Sequence, residues 1–178
     1  MSERLARQPR LSGRTRSFVL FLATIAMLVF LNSQILIKED IMENGQTVLL
    51  QLAPKDPRSL LQGDYMALRY AMADEVADAA RAGGVTDGRV VVNVAENGVA
   101  DFAGLYVGQS LGANQHRLRF RKRGETVRLA SDAYFFEEGQ WRNYANARFG
   151  EVRVSEAGDA VLIALRDRDG NRLGEALQ

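Results

Sequence analysis

Residues 54–70, PKDPRSLLQGDYMALRY, combine charges of both signs with a serine, two tyrosines and a glycine. Asp56, Arg58, Asp64 and Arg69 set charges of both signs close together. Such a set can line a polar groove for a peptide, a glycan or a partner protein, with Tyr65 beside it. A simpler reading is a turn leading into a strand, because tight turns favour Gly and Asp and half-buried strands favour aromatics. Ser59 adds a nucleophile, which needs an unprotonated lysine as its base, and Lys122 is the only lysine downstream. A second group is HRLRFRKR, residues 116–123. With a period of two, Arg117, Arg119, Arg121 and Arg123 share one strand face and Leu118 and Phe120 the other. That basic stripe is either a solvated face that protects a strand edge from aggregation or a surface for anionic headgroups or an acidic partner.

Metal and cofactor chemistry has little to work with. His116 is the sole histidine and cysteine is absent, so a structural zinc site has no ligand set. Asp167, Asp169, Gly170 and Asn171 match part of a calcium loop but lack its closing glutamate, and a turn after a strand explains the spacing. Glu137 and Glu138 are adjacent, so on a strand they face opposite sides, poor geometry for an acid and a base flanking one bond. No cofactor is expected.

Short strands must position these residues. Residues 47–52, 65–72 and 89–94 are β-rich or alternate in polarity, and Asn97-Gly98 joins 89–94 to 99–106 as a hairpin, both turn residues tolerating positive φ. Residues 116–121 with 126–129 predict a second hairpin, 151–155 with 160–166 a third, and 134–136 a further short strand. On the strand at 65–72, Met66, Leu68 and Tyr70 take the core face and Tyr65, Ala67 and Arg69 the other. Pro57 extends Asp56, and Gly63 supplies permissive backbone before Asp64. Helix is the minority: residues 74–82, with Asp74 as N-cap and glycines 83 and 84 as the stop, and residues 140–148. The expected class is α+β, mainly antiparallel β with one or two short helices, preceded by a single N-terminal transmembrane helix.

That helix is residues 18–37, FVLFLATIAMLVFLNSQILI, which carry no charge. At about 1.5 Å per residue it is roughly 30 Å long, the thickness of a hydrocarbon core. Arg4, Arg7, Arg10, Arg14 and Arg16 precede it against Glu3 alone, which predicts a cytoplasmic N-terminus and places everything after Lys38 outside. The length of the apolar run and the lack of a small-x-small cleavage site argue against a signal peptide. The chain then divides into a basic arm at 1–17, an anchor at 18–37 and an extracytoplasmic domain at 38–178, with 38–46 its least ordered part. The outer domain is near neutral, so the formal +1 of the chain reflects the arm and gives no support for a nucleic-acid partner. Without cysteine the domain must hold together by packing alone.

Gly63-Asp64-Tyr65-x-x-Leu68-x-Tyr70 resembles the signature of the GDYXXLXY protein family, small membrane-anchored bacterial proteins. The flanks are similar as well: the DPR-x-LL run before the motif, then Tyr134-Phe135-x-Glu137-Glu138-Gly139, Val152-Arg153-Val154 and Ala160-Val161-Leu162. The resemblance covers nearly the whole outer domain. It implies an inner-membrane protein with a periplasmic domain, encoded beside a larger multi-spanning protein, and brings no reaction with it. Leu61-x-Gly63-Asp64 also resembles the nucleophile box of membrane signal peptidases, but the serine position of those enzymes is Lys55 here. The expected function is a non-catalytic, membrane-anchored binding or assembly domain acting with an integral membrane partner. The alternative is an envelope hydrolase of the serine–lysine peptidase kind.

Overall fold

The computed structural model describes residues 13–53 and 65–174. Asp56, Arg58, Ser59, Gly63 and Asp64 therefore lie outside the described residues. Helix α1 (Gly13–Asn44) contains a stretch long and apolar enough to cross a membrane. Its charged end stays helical through residues 38–44, where a loosely ordered connector was expected. Two contacts account for this: Ile41 is buried, and Asn44 Nδ2 donates to Asp40 Oδ1 at 2.7 Å one turn back. The helix stops at Gly45, whose N–H donates to Ile41 O at 3.0 Å and where a Cβ would overlap that carbonyl. Packing divides the chain into two compact units between Glu39 and Asp40.

The second unit is built on strands β1 (Gln46–Gln51), β2 (Tyr65–Ala67), β3 (Asp87–Val94), β4 (Val99–Leu105), β5 (Gln115–Arg123), β6 (Thr126–Arg128), β7 (Ala133–Phe135), β8 (Phe149–Val154), β9 (Ala160–Arg166) and β10 (Arg172–Leu173). Helices α2 (Ala73–Ala82) and α3 (Trp141–Tyr144) complete it. Eight strands form one sheet in the order β10-β9-β8-β1-β4-β3-β5-β6, and β2 pairs with β7 as a separate ribbon. Every pairing is antiparallel except β1 with β4. The mixed, mostly antiparallel sheet with few short helices is the α+β class expected from the sequence.

All three expected hairpins form, one with different turn chemistry. Asn97 does not take positive φ; Gly98 alone does, at +81°. Gly98 N–H donates to Ala95 O at 2.8 Å and Ala95 N–H to Val99 O at 2.9 Å, so the turn closes over four residues with glycine in the left-handed position. Asn97 contributes instead by accepting the Val99 N–H on its side-chain oxygen at 3.0 Å.

One sheet face is apolar and packs with α2. Val48, Leu50, Val90, Val92, Leu118, Phe120, Val152 and Val154 from the strands meet Ala73, Val76, Ala77 and Ala80 of the helix. The helix begins one residue earlier than expected, with Met72 at the N-cap and no side-chain cap; Asp74 sits in the first turn. Asp74 is ion-paired with Arg69 at 2.5 Å. At the other end Val85 N–H donates to Ala80 O and Gly84 N–H to Arg81 O, with Gly84 at φ +65°.

The β8–β9 turn closes on the middle of β5. Arg119 N–H on the β5 edge donates to Gly158 O in the β8–β9 turn at 2.7 Å, and Arg89 Nε donates to Ala157 O at 2.5 Å. A Cβ on Gly158, at φ +94°, would press on the Arg117 backbone at 3.2 Å.

A second cluster forms around Tyr144, which meets Tyr134 and Phe136 at ring-centroid distances of 5.2 Å each and packs with Met66 and Leu165. Helix α3 covers only Trp141–Tyr144, not residues 140–148, because Arg148 N–H already donates to Arg166 O at 2.8 Å and the chain has joined the sheet.

Beside this cluster Arg166 and Arg172 stand directly opposite each other across β9 and β10. Like charges so placed repel, and Glu151 resolves the conflict. Its buried carboxylate accepts from Arg166 Nε at 2.8 Å and from Arg172 Nε and Nη2 at 2.8 and 2.7 Å. The two guanidinium groups, Arg172 first, outweigh the cost of burial and hold Glu151 at about 2, below its ordinary 4.5. A depressed carboxylate contributes stability that is fully present above pH 4.5 and drains away as pH falls toward 2. The contribution is on the order of 3 kcal/mol. Melting of the purified chain is therefore expected to be flat between pH 5 and 7 and to fall steeply below pH 4.5. Glu151→Ala should cost about 3–5 kcal/mol at pH 7, because it strands two arginines, and should flatten the acid limb. An acid limb equally steep in that variant would assign it to other carboxylates.

Candidate functional site

The residues of the 65–70 segment serve different neighbourhoods. Tyr65 on β2 is opposite Phe135 on β7, with ring centroids 5.7 Å apart. Both are exposed, Phe135 to 74 %. Met66 and Tyr134 are paired next to them, and Met66 is buried against the Tyr144 cluster. Burial, with Tyr144 alongside, pushes the Tyr134 phenol up to about 12.

The strand expected at 65–72 changes partner part-way. Leu68 N–H donates to Asp132 O at 2.7 Å, and then Ala53 N–H donates to Arg69 O and Ala71 N–H to Gln51 O at 2.8 Å each. The chain thus passes from β7 to the end of β1, where Leu52 bridges Tyr70. Leu68, at the switch, is half-buried rather than core. Tyr70 is buried in the main core, and its hydroxyl donates to Ser131 O at 2.9 Å. Desolvation holds that phenol far above its usual range. Arg69 is committed to Asp74, an ion pair that sets negative charge in the first turn of α2. Tyr65 and Arg69 therefore have separate partners, and Asp56, Arg58 and Asp64 lie outside the described residues.

Strand β5 gathers its arginines as the alternation requires. Leu118 and Phe120 are 1 % exposed and face the core, while Arg119, Arg121 and Arg123 are exposed. Lateral pairing enlarges the stripe, because Arg89 stands opposite Arg119 and Arg128 opposite Arg121. Three carboxylates relieve the repulsion. Arg119 reaches Asp159 at 3.2 Å and Asp87 at 3.6 Å, and its pKa is raised chiefly by the Asp159 hydrogen bond. Arg128 is paired with Asp132. Arg117 lies over the Tyr106 ring at 5.3 Å, a cation–π contact. Arg121 and Arg123 make no ion pair among the described residues. The stripe thus divides into arginines that close the fold, Arg89 and Arg119, a half-buried Arg117 laid on Tyr106, and arginines that present charge outward, Arg121 and Arg123.

Two cavities accompany these surfaces. One of about 610 Å³ is lined by Gln51, Asn146, Arg148, Asp167, Arg168 and Asp169. Asp167 in its wall is engaged by its own turn: it accepts from Asn171 N–H at 2.8 Å, Asp169 N–H at 2.9 Å and Asn171 Nδ2 at 3.1 Å. Those bonds, that of the Asn171 side chain first, lower its pKa. The 167–171 segment is a closed turn. A second cavity of about 320 Å³ is bordered by Gln46, Leu111, Gln115, His116 and Glu156. Among the described residues no cluster of three His, Asp or Glu could hold a metal ion.

A family model described as GDYXXLXY protein matches residues 27–165. This chain belongs to the GDYXXLXY family. Neither a curated protein nor a solved structure matches it. The match begins inside α1 and ends within β9, so it takes in β1 to β8 and leaves out the edge strand β10.

In the GDYXXLXY motif of this chain, Tyr65 packs on the ribbon, Leu68 marks the change of partner and Tyr70 plugs the core. Sequence reasoning missed Arg89, Tyr106, Asp159 and Phe135. Arg89 carried one usable signal, its alternation with Asp87 ahead of a valine run. The Arg117–Tyr106 contact carried none, because it depends on β3 lying between β4 and β5. Tyr70→Phe should cost about 1–2 kcal/mol in urea unfolding, since it leaves the Ser131 carbonyl without its donor. Met66→Ala should cost about 2–5 kcal/mol, and Leu68→Ala less, in proportion to its partial exposure. Leu68→Ala proving the more damaging would refute the partner switch as described.

Proposed function

We propose that this chain is a membrane-anchored extracytoplasmic binding or assembly domain of the bacterial inner membrane, which engages an acidic surface on an integral membrane partner through the outward arginines of β5. The observation that carries this reading is the division within the stripe. Arg119, which holds the β8–β9 turn, is neutralised from within the fold by Asp87 and Asp159. Arg121 and Arg123 have no such carboxylate among the described residues, and Arg117 is held flat on Tyr106. Solvent-exposed charge contributes little to stability but sets partner choice and the rate of encounter. The exposed Tyr65–Phe135 pair offers an aromatic contact of the kind enriched at interface centres.

Crosslinking and pull-down from native membranes test this. Arg121→Glu combined with Arg123→Glu should lose the co-purifying integral protein while melting is unchanged. Arg119→Glu should lower the melting temperature, since it opens the contact between β5 and the β8–β9 turn. Full partner recovery with the double variant would overturn the proposal.

The reading places the N-terminus in the cytoplasm and the sheet domain in the periplasm, supported by the five arginines ahead of α1's apolar stretch. A reporter active only outside the cytoplasm should be active when fused after Gln178, and alkaline extraction should leave the full-length chain in the membrane. Release of a shortened species beginning near Gln34 would instead identify a signal peptide.

A further inference from the structure

We propose that the cavity bordered by His116, Arg117 and Glu156 binds the phosphoethanolamine headgroup of a membrane lipid, with the phosphate toward Arg117 and the ammonium toward Glu156. The inference rests on the reading of α1 as a membrane anchor, and it begins from a charge left without a partner. Of the three arginines half-buried among the described residues, Arg166 has the Glu151 carboxylate and Arg153 Nη1 donates to Gly45 O at 2.8 Å. Arg117 has only the face of Tyr106, at 5.3 Å. A guanidinium partly withdrawn from water and given no anion by its own fold suits an anion from outside. The backbone at this position agrees. Arg119 N–H faces out from the β5 edge to Gly158 O, so Arg117 N–H, two residues along, also faces away from β3. It finds no acceptor among the described residues.

The cavity beside this edge, about 320 Å³, carries a second charge of opposite sign, because Glu156 forms part of its wall. Glu156 makes no ion pair among the described residues, although Arg117 borders the same space. Both are restrained. Arg117 lies on Tyr106, and Glu156 sits in a turn closed by Gly158 N–H to Ser155 O and by Ser155 N–H to Asp159 O, at 2.9 Å each. A cation and an anion kept apart across a cavity match a ligand that carries both charges. Ser155 Oγ accepts from Asp159 N–H at 3.1 Å, which leaves its own proton free for a phosphate oxygen. A primary ammonium donates hydrogen bonds to a carboxylate. A quaternary ammonium cannot, and it is held by aromatic cages, whereas no aromatic residue lines this cavity among the described residues. The end of the anchor decides the source of the ligand. Asn44 in the cavity wall follows Ile37, the last residue of the apolar run, by seven positions, so no more than about 25 Å of chain can separate them. A site tethered so closely to the bilayer meets headgroups at an effective concentration that a free solute does not reach.

His116 is the sole histidine, so in full-length protein purified without a histidine tag the imidazole NMR signals report this cavity alone. In a non-ionic detergent, glycerophosphoethanolamine should shift them saturably, and glycerophosphocholine and inorganic phosphate should bind at least tenfold more weakly. In nanodiscs of phosphatidylcholine, added phosphatidylethanolamine should produce the same shift. Glu156→Gln should leave melting unchanged and remove the preference for ethanolamine over choline. Arg117→Gln should weaken binding at least tenfold, and Arg117→Lys, which keeps the charge, should restore part of it. Inorganic phosphate binding as tightly as glycerophosphoethanolamine, an equal response to the choline compound, or indifference to Glu156→Gln would each overturn the proposal. A shift with the soluble headgroup but none with the lipid would overturn the membrane as its source. Alkaline extraction of native membranes separates the site from the anchor. A chain that stays in the membrane but gives no response sinks the site alone, and a chain that is extracted yet still takes the soluble headgroup sinks the anchor and, with it, the lipid source.

Discussion

Strand β1 is the constraint on which the rest of the domain depends. The remaining strands of the large sheet fall into two groups made by local connections, β3 to β6 and β8 to β10, and each group alone would present an open edge. β1 fills both edges. It pairs with β8 along its whole length and with β4 in parallel at Leu49–Val99 and Leu50–Ala100. Leu50 is fully buried at this seam, and Leu49 N–H donates to Gly98 O at 2.8 Å. The parallel contact is short, and parallel pairing is the weaker kind. The closure of the β8–β9 tip on β5 reinforces it from the far side, by tying the two groups together a second time.

Arginine does three different jobs in this domain, and the environment of each decides which. Arg166 and Arg172 are held against one buried carboxylate and join the edge strands to the sheet. Arg89 and Arg119 reach across the closure to the Ala157 carbonyl and to Asp159, and Arg119 also meets Asp87 on the adjacent β3. Arg121 and Arg123 keep their charge at the surface, which leaves them able to meet another molecule. A count of basic residues cannot distinguish these roles, since the side chain is the same and only the acceptor within its reach differs.

The hairpins were legible because their information is local. Gly98, Gly124 and Gly158 sit between alternating segments, and each takes the left-handed conformation that its turn needs. The alternation of β5 also reported its two faces correctly, with Leu118 and Phe120 inside. What could not be read was long-range: the parallel register of β1 on β4, the passage of 68–70 from β7 to β1, and the convergence of Arg166 and Arg172 on Glu151. No residue type encodes such a pairing. It follows from which edges remain open once the hairpins exist. Asp74 shows the same limit at small scale, because a good capping residue sits in the first turn and pairs with Arg69, five positions away. Of the candidate site, the β5 stripe was visible as a pattern, but its division into structural and free charges required Asp87, Asp159 and Tyr106 to be in place.

The position of β1 directly after α1 also sets a timetable. This strand is synthesised early, yet its full-length partner β8 follows roughly a hundred residues later, about 5–20 s at ordinary translation rates. Its other partner, β4, arrives sooner but offers only the short parallel contact. For that interval the hydrophobic run Val48-Leu49-Leu50 lacks the strand with which it pairs along its whole length. Synthesis order and pairing order run in opposite directions. The domain becomes whole only when one of its last strands reaches its first.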